Sequence, residues 1–155
     1  MGKVINIFIS PEAGKHMQSM KSVELIKGQG IKGDRYFSKK GTFSRPELNP
    51  GQHVTLIETE NCKLIEDFYK MKFSAECSRR NIETEGIQLN DLIDKKVRVG
   101  SAILKGIRLC EPCEHLANLV GRQVLHGLVH RGGLRAEVIQ GGIISIDDEI
   151  IELDK

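Results

Sequence analysis

Short runs of β-branched and aliphatic residues, broken by glycine or by charge, dominate the pattern along the chain. Val4–Ile9, Ser22–Ile26, His53–Ile57, Lys96–Val99, Ala102–Leu109, Ala136–Ile139 and Ile143–Ile146 each have the length and composition of a strand. So many short strands with few helices between them predict a mainly β fold with a few helices, either a barrel or a compact pair of sheets. Gln140-Gly141-Gly142-Ile143 puts two glycines between the last two runs. Such a dipeptide supplies the positive φ of a tight turn, so a terminal hairpin is expected there. One segment has helical spacing: Leu64, Ile65, Phe68 and Met71 recur between Thr59 and Lys72, with Thr59 as N-cap and Glu60 in the first turn. A shorter helix is expected from Pro112 to Val120, because proline suits a first turn and Gly121 a stop. Phe37 to Gly51 is rich in turn formers and has no period, which reads as a loop. No linker divides the chain and no segment repeats, so residues 1–155 are expected to form a single domain.

Composition narrows the function classes. A chain of 155 residues buries roughly two thirds of its unfolded surface, and 39% hydrophobic with 28% charged residues is a globular balance rather than a disordered one. A net charge of +2 is too small to argue for nucleic acid. Two tyrosines, five phenylalanines and no tryptophan give few platforms for stacked bases. The apolar stretch within Met1–Ser10 is too short for a signal peptide or a membrane span, so a cytoplasmic protein without a membrane partner is expected. Four cysteines, Cys62, Cys77, Cys110 and Cys113, are then expected as reduced thiols.

The segment from Arg108 to Leu116 concentrates the reactive side chains. A thiol in the first turn of a helix, as expected for Cys113, feels the positive helix end, which favours its thiolate. Cys62 and Cys77 read as buried and inert. A structural zinc on the Cys110–Cys113 pair is disfavoured, since only His115 stands close by and zinc takes four ligands. Three further segments bring arginine together with glycine or with another arginine: Gly30–Tyr36 with Asp34 and Arg35, Ser78–Asn81 with Arg79 and Arg80, and His130–Arg135 with Arg131, Gly132, Gly133 and Arg135. Guanidinium forks bind phosphate or carboxylate in a bidentate way, and glycine lets backbone amides approach an anion. Asp34 is expected to orient Arg35, and His115 and His130 to serve at most as proton donors or hydrogen-bond partners. All four segments fall at turns bordering strands, where a barrel gathers residues distant in sequence around one mouth.

These motifs resemble the MOSC family, the type found at the C-terminus of molybdenum cofactor sulfurases, in amidoxime-reducing enzymes and as stand-alone bacterial proteins. The resemblance rests on Gly33-Asp34-Arg35, on Arg79-Arg80-Asn81-Ile82, on Val99-Gly100 opening a strand that ends in Cys110-Glu111-Pro112-Cys113, and on Arg131–Val138 with Gly141-Gly142. It implies a barrel of mixed strand direction, like the barrel domain of pyruvate kinase. It also implies that Cys113 is the family's characteristic cysteine, carrying sulfur as a persulfide or ligating molybdenum. Arg35, Arg79, Arg80, Asn81, His130, Arg131, Gly132, Gly133 and Arg135 would then surround the molybdenum cofactor (molybdopterin). A soft metal accepts a thiolate and an anionic pterin phosphate accepts arginines, so the residue types suit that chemistry.

The chain departs from the larger relatives in carrying no pyridoxal-phosphate-binding domain, which points to action with a separate cysteine desulfurase or molybdoenzyme partner. A sulfur carrier or cofactor-binding module is the first expectation. A molybdenum-dependent reductase of N-oxygenated substrates is the second, and an RNA- or protein-binding barrel the third.

Overall fold

The computed structural model describes residues 2–12, 16–37, 53–70, 73–110 and 131–153, with the backbone alone at 77. Eleven strands lie in these segments: β1 (Gly2–Ile9), β2 (Gln18–Met20), β3 (Ser22–Ile26), β4 (Gly30–Ile31), β5 (Val54–Glu58), β6 (Ile82–Glu85), β7 (Lys96–Val99), β8 (Ala102–Leu109), β9 (Leu134–Gln140), β10 (Gly142–Ser145) and β11 (Glu149–Glu152). Helices α1 (Thr59–Tyr69) and α2 (Ala75–Ser78) stand between β5 and β6.

Seven strands close a ring in the order β11-β7-β8-β9-β5-β6-β1, with β1 pairing back onto β11. The barrel expected from the sequence is therefore present, and its strands run in mixed directions. β5 and β6 pair in parallel while the other strand pairs are antiparallel. A parallel pair needs a crossover, and α1 with α2 supplies it. β2 continues the edge of β1 beyond β11, and β10-β3-β4 form a separate small sheet.

Two apolar clusters hold this arrangement. Inside the barrel, Val4, Ile7, Leu56, Ile82, Leu104 and Val138 belong to one buried cluster, each such aliphatic side chain contributing about 1.5–3 kcal/mol. Outside it, Ile65 and Cys62 of α1 pack with Phe8, Ile57, Phe73 and Ala75. β5 is thereby covered on both faces, which is why its pattern is a continuous buried run, whereas β7 alternates strictly.

Three local expectations need correction. The terminal hairpin does not form: β9 pairs with β8 and β5, and β10 pairs with β3 in the other sheet. Gly141 and Gly142 do not adopt positive φ. They are small because chains cross there: an added Cβ would come 2.7 Å from the Leu25 carbonyl at Gly141 and 2.5 Å from the Ser101 carbonyl at Gly142. The tight turn lies instead at Gly100-Ser101, with Gly100 at φ 59°, between the paired Val99 and Ala102. In α1, Glu58 rather than Thr59 holds the N-cap position and no side chain caps it, while Glu60 accepts from the Gly86 N–H at 2.9 Å. The helix docks through Cys62, Ile65 and Tyr69, so Leu64 and Phe68 of the expected apolar face stand exposed, Phe68 at 75%.

Among the described residues no helix is long and apolar enough to cross a membrane. The expected helix at Pro112–Val120 lies outside the described residues, as does nearly all of the expected loop from Phe37 to Gly51.

Candidate functional site

Strand pairing and side-chain hydrogen bonds together connect the arginine-bearing segments. Leu109 pairs with Leu134, Leu134 with Leu56, Leu56 with Ile82 and Ile82 with Ile7, making one row across five neighbouring strands. Ser10, Asn81 and Arg80 follow on one side of that row and Cys110 and Gly132 on the other, and the Arg80 side chain bridges the two by its hydrogen bonds to the Cys110 and Gly132 carbonyls. The rim is thus assembled from stretches that lie far apart in the chain, and every one of its hydrogen bonds described below joins such stretches or closes a turn.

Asn81 ties the rim together. Its Oδ1 accepts from the Thr55 N–H at 3.1 Å and hydroxyl at 3.0 Å, and its Nδ2 donates to the Phe8 carbonyl at 3.1 Å and to Asp34 Oδ1 at 3.4 Å. A buried amide that uses both ends in this way fixes β1, β5 and the Asp34 turn to one another.

The segment with Asp34 and Arg35 is turned inward rather than presented at the surface, with Asp34 1% and Arg35 7% exposed. Gly33, at φ 93°, permits the reversal. Asp34 accepts from the Ser10 N–H at 3.1 Å and from Arg35 Nη1 at 3.2 Å, so it orients Arg35 as its position suggested. Arg35 Nη1 also approaches Met17 Sδ at 3.6 Å, and its Nη2 donates to the Arg79 carbonyl at 3.4 Å. The guanidinium lies 5.0 Å from the Tyr36 ring centre.

Arg79 follows α2 in a left-handed backbone conformation, φ 63°, which costs a non-glycine residue about 1 kcal/mol. Burial first, and then the like charge of Arg35, push its guanidinium below the ordinary value, while Asp34 and Tyr36 pull the other way. Arg80 takes a different part. Its Nε donates to the Gly132 carbonyl at 2.9 Å, Nη1 to the Ser78 carbonyl at 3.0 Å and Nη2 to the Cys110 carbonyl at 3.0 Å. One buried fork therefore holds three backbone segments. A Cβ on Gly132 would overlap the Cys110 carbonyl, so the close approach needs glycine.

The structure accordingly brings together Arg35, Arg79, Arg80, Asn81, Gly132 and, through the Cys110 N–H bonded to its carbonyl at 2.8 Å, Gly133. Arg135 pairs in register with Thr55 and Arg108 on the neighbouring strands, and Arg131 is exposed beside Gly132. Cys113 and His130 lie outside the described residues. Cys110 and Cys62 are buried thiols, as expected for Cys62. Sequence reasoning missed Ser10 and Thr55, which reveal themselves only through strand pairing. It also missed His53, whose Nδ1 accepts from the Val138 N–H at 3.0 Å.

Three guanidiniums share this rim with one carboxylate, Asp34, leaving an excess of two positive charges among the described residues. A small anionic group suits such a setting. Among the described residues no group of three His, Cys, Asp or Glu side chains is placed to hold a metal ion.

The model of the MOSC domain matches residues 44–151. The chain belongs to the MOSC family. Solved MOSC-like structures agree in fold. The YuaD protein from Bacillus subtilis is 18% identical with a TM-score of 0.82, covering 100% of this chain and 98% of that one. YiiM from Geobacillus stearothermophilus is 14% identical with a TM-score of 0.75, over 99% of this chain and 76% of that one. YiiM from Escherichia coli is 16% identical with a TM-score of 0.71, over 99% and 70%. No curated protein sequence matches the chain significantly. The molybdenum cofactor associated with MOSC domains fits the rim in one respect that can be tested on these residues: its phosphate is anionic, and the rim carries excess positive charge.

Proposed function

We propose that this MOSC protein handles the sulfur-rich molybdenum cofactor in the cytoplasm, receiving its anionic phosphate at the arginine rim and using Cys113 as its sulfur-bearing thiolate. The observation that carries this reading is the meeting of two guanidiniums at the rim, the buried Arg35 and the half-buried Arg79, with Asp34 beside Arg35. A third guanidinium, Arg80, is committed to backbone carbonyls, so Arg79 and Arg35 are the anion-facing pair and Arg80 shapes the ground on which they stand.

Covalent reach supports the choice of Cys113. Three residues of extended chain span at most about 11 Å, and Cys110 is fixed to the rim by Arg80. A cysteine tethered that closely to the Cys110 anchor is the thiol chosen here, and guanidiniums beside it would favour a thiolate over a thiol. When bound, the cofactor would supply a soft molybdenum centre able to take that thiolate. Asp34 holds Arg35 in orientation, and Asn81 holds the Asp34 turn.

As a carrier, the Cys113 thiolate attacks the terminal sulfur of a cysteine desulfurase persulfide and the donor cysteine leaves as a thiolate. One S–S bond replaces another, and no net oxidation occurs.

The test is protein isolated from a host that makes the cofactor, analysed for molybdenum and, after incubation with a cysteine desulfurase and cysteine, for a persulfide by intact mass. Molybdenum or persulfide sulfur lost in Cys113→Ser, with molybdenum also lost in Arg79→Gln, is the expected result. Wild-type protein that holds neither, or a Cys113→Ser variant that holds as much as wild type, overturns the reading.

A further inference from the structure

The outward face of β7, β8 and β9 carries a charge that neither the barrel core nor the rim explains. Inward positions of these strands, among them Val97, Leu104, Ala136 and Val138, fill the core. The residues between them include Lys96 and Arg98 of β7, Lys105 and Arg108 of β8, and Arg135 of β9, with Glu137 as the one carboxylate among them. Five cations against one acid leave this face at +4, more than the +2 of the whole chain, so the remainder of the molecule is net negative.

Two ordinary explanations fail. Lysines and arginines often guard an exposed sheet edge against pairing with another chain, but β7, β8 and β9 are interior strands of a closed ring. Solvated faces usually mix the two signs, and their ion pairs offset repulsion. Here Lys96 pairs directly with Lys105, which has Glu137 opposite it on the other side, and Arg108 pairs directly with Arg135. Like charges directly opposite on one face destabilise a sheet. Among the described residues, no ion pair relieves Lys96, Arg98, Lys105 or Arg108.

We propose that this face is a docking surface for an acidic protein partner. Carboxylates of a partner would offset Lys96, Arg98, Lys105 and Arg108 together. The apolar component is aliphatic: Ile103 and Ile151 flank Arg98 on the two neighbouring strands, and Ile151 is 39% exposed. A protein surface offers matching acidic and apolar groups, whereas a nucleic acid would find Glu137 within the stripe and no aromatic side chain on the three strands. The stripe also runs into the rim. Arg135 pairs with Thr55, which Asn81 holds, so a docked partner sits next to the strand that Asn81 anchors. The surface stands on its own charges and does not require the cofactor reading to be right.

The probe is a fluorescent acidic peptide with interspersed leucines, followed by anisotropy against the full chain, beside an oligouridylate of equal charge. The face variant combines Lys96→Gln, Arg98→Gln, Lys105→Gln and Arg108→Gln. A control variant neutralises the exposed Lys21, Lys27, Lys63 and Lys70. The expected result is a loss of about tenfold in peptide affinity in the face variant and less than about twofold in the control, with oligouridylate bound more weakly than peptide by wild type. Thermal unfolding should show the face variant at least as stable as wild type, because the repulsion between Lys96 and Lys105 is gone; should it unfold instead, Lys96→Gln and Arg108→Gln singly give the same reading at smaller amplitude. No peptide binding, equal losses in face and control variants, or tighter binding of oligouridylate overturns the proposal, the last in favour of a nucleic-acid surface.

Discussion

The guanidinium of Arg80 donates to the carbonyl of Cys110 across 3.0 Å and so fastens the end of β8 to the start of β6. The same side chain reaches the Gly132 carbonyl at 2.9 Å, so residues 110 and 132 are held side by side. Cys113 follows Cys110 by three residues in the chain, and the anchor at Cys110 is a structural arginine rather than a binding one.

Replacing Arg80 should therefore be costly for stability before it is costly for binding. Arg80→Met removes three charge-assisted hydrogen bonds and leaves buried carbonyls unsatisfied, which is expected to lower unfolding free energy by about 3–5 kcal/mol. Arg80→Lys should recover only part of this, since an ammonium is a compact charge that does not reproduce the planar fork. Urea unfolding of the two variants checks it. A lysine variant as stable as wild type would show that the fork geometry is not what matters.

Gly133 sets a second, independent constraint at the start of β9. Its φ is 101°, and a Cβ there would overlap the Leu56 carbonyl on the adjacent strand. Gly133→Ala is expected to destabilise by about 3 kcal/mol, from overpacking against backbone that cannot yield and from a strained dihedral. The measurement is the urea midpoint, and a shift within error of zero would mean that β5 and β9 can separate at this point without penalty.

The strands were legible because their faces obey simple chemistry. Lys96–Val99 and Ala102–Leu109 are read from sequence with the bounds they have in the structure, since a half-buried strand with alternating polarity declares itself. Arg79, Arg80 and Asn81 could be singled out as a group for the same kind of reason: charge placed directly before a strand. What could not be read is the use of each. Arg80 and Arg79 are neighbours, yet one holds carbonyls and the other faces a like charge, a division made by the left-handed turn at Arg79 and by strands remote in sequence. Gly141-Gly142 misled for a related reason. A glycine pair signals either positive φ or close approach, and only the position of Leu25 and Ser101 decides between them.

Asn81→Asp tests the rim with almost no change of shape. The amide Nδ2 donates to the Phe8 carbonyl and to Asp34, and a carboxylate would instead present an acceptor to two acceptors, one of them charged. Loss of about 2–4 kcal/mol is expected near neutral pH. Part of it should return as the pH is lowered and one carboxyl of the pair takes up a proton, whereas Asn81→Ala should show no such recovery relative to wild type. Unfolding free energies at two pH values distinguish the variants.

His53 gives stability a pH dependence whose sign can be worked out. Its ring is 2% exposed and Nδ1 accepts from the Val138 N–H at 3.0 Å, which requires the neutral imidazole. Burial lowers its pKa below the ordinary 6.5, with Glu137 opposing. Between the folded value and 6.5 the unfolded chain binds the proton and the folded one does not, so stability rises with pH across that window and falls as pH drops through it. Glu58 acts in the opposite sense: burial and Glu60 raise its carboxyl above 4.5, so its contribution is present below that value and lost as pH rises through the folded one. The two effects are separated by comparing wild type with His53→Gln, which leaves Glu58 in place. Wild type should lose more stability than the variant on going from about pH 7.5 to about pH 5.5. Parallel curves would mean that the His53 ring can leave Val138 and charge without cost, and that β5 and β9 are not coupled through it.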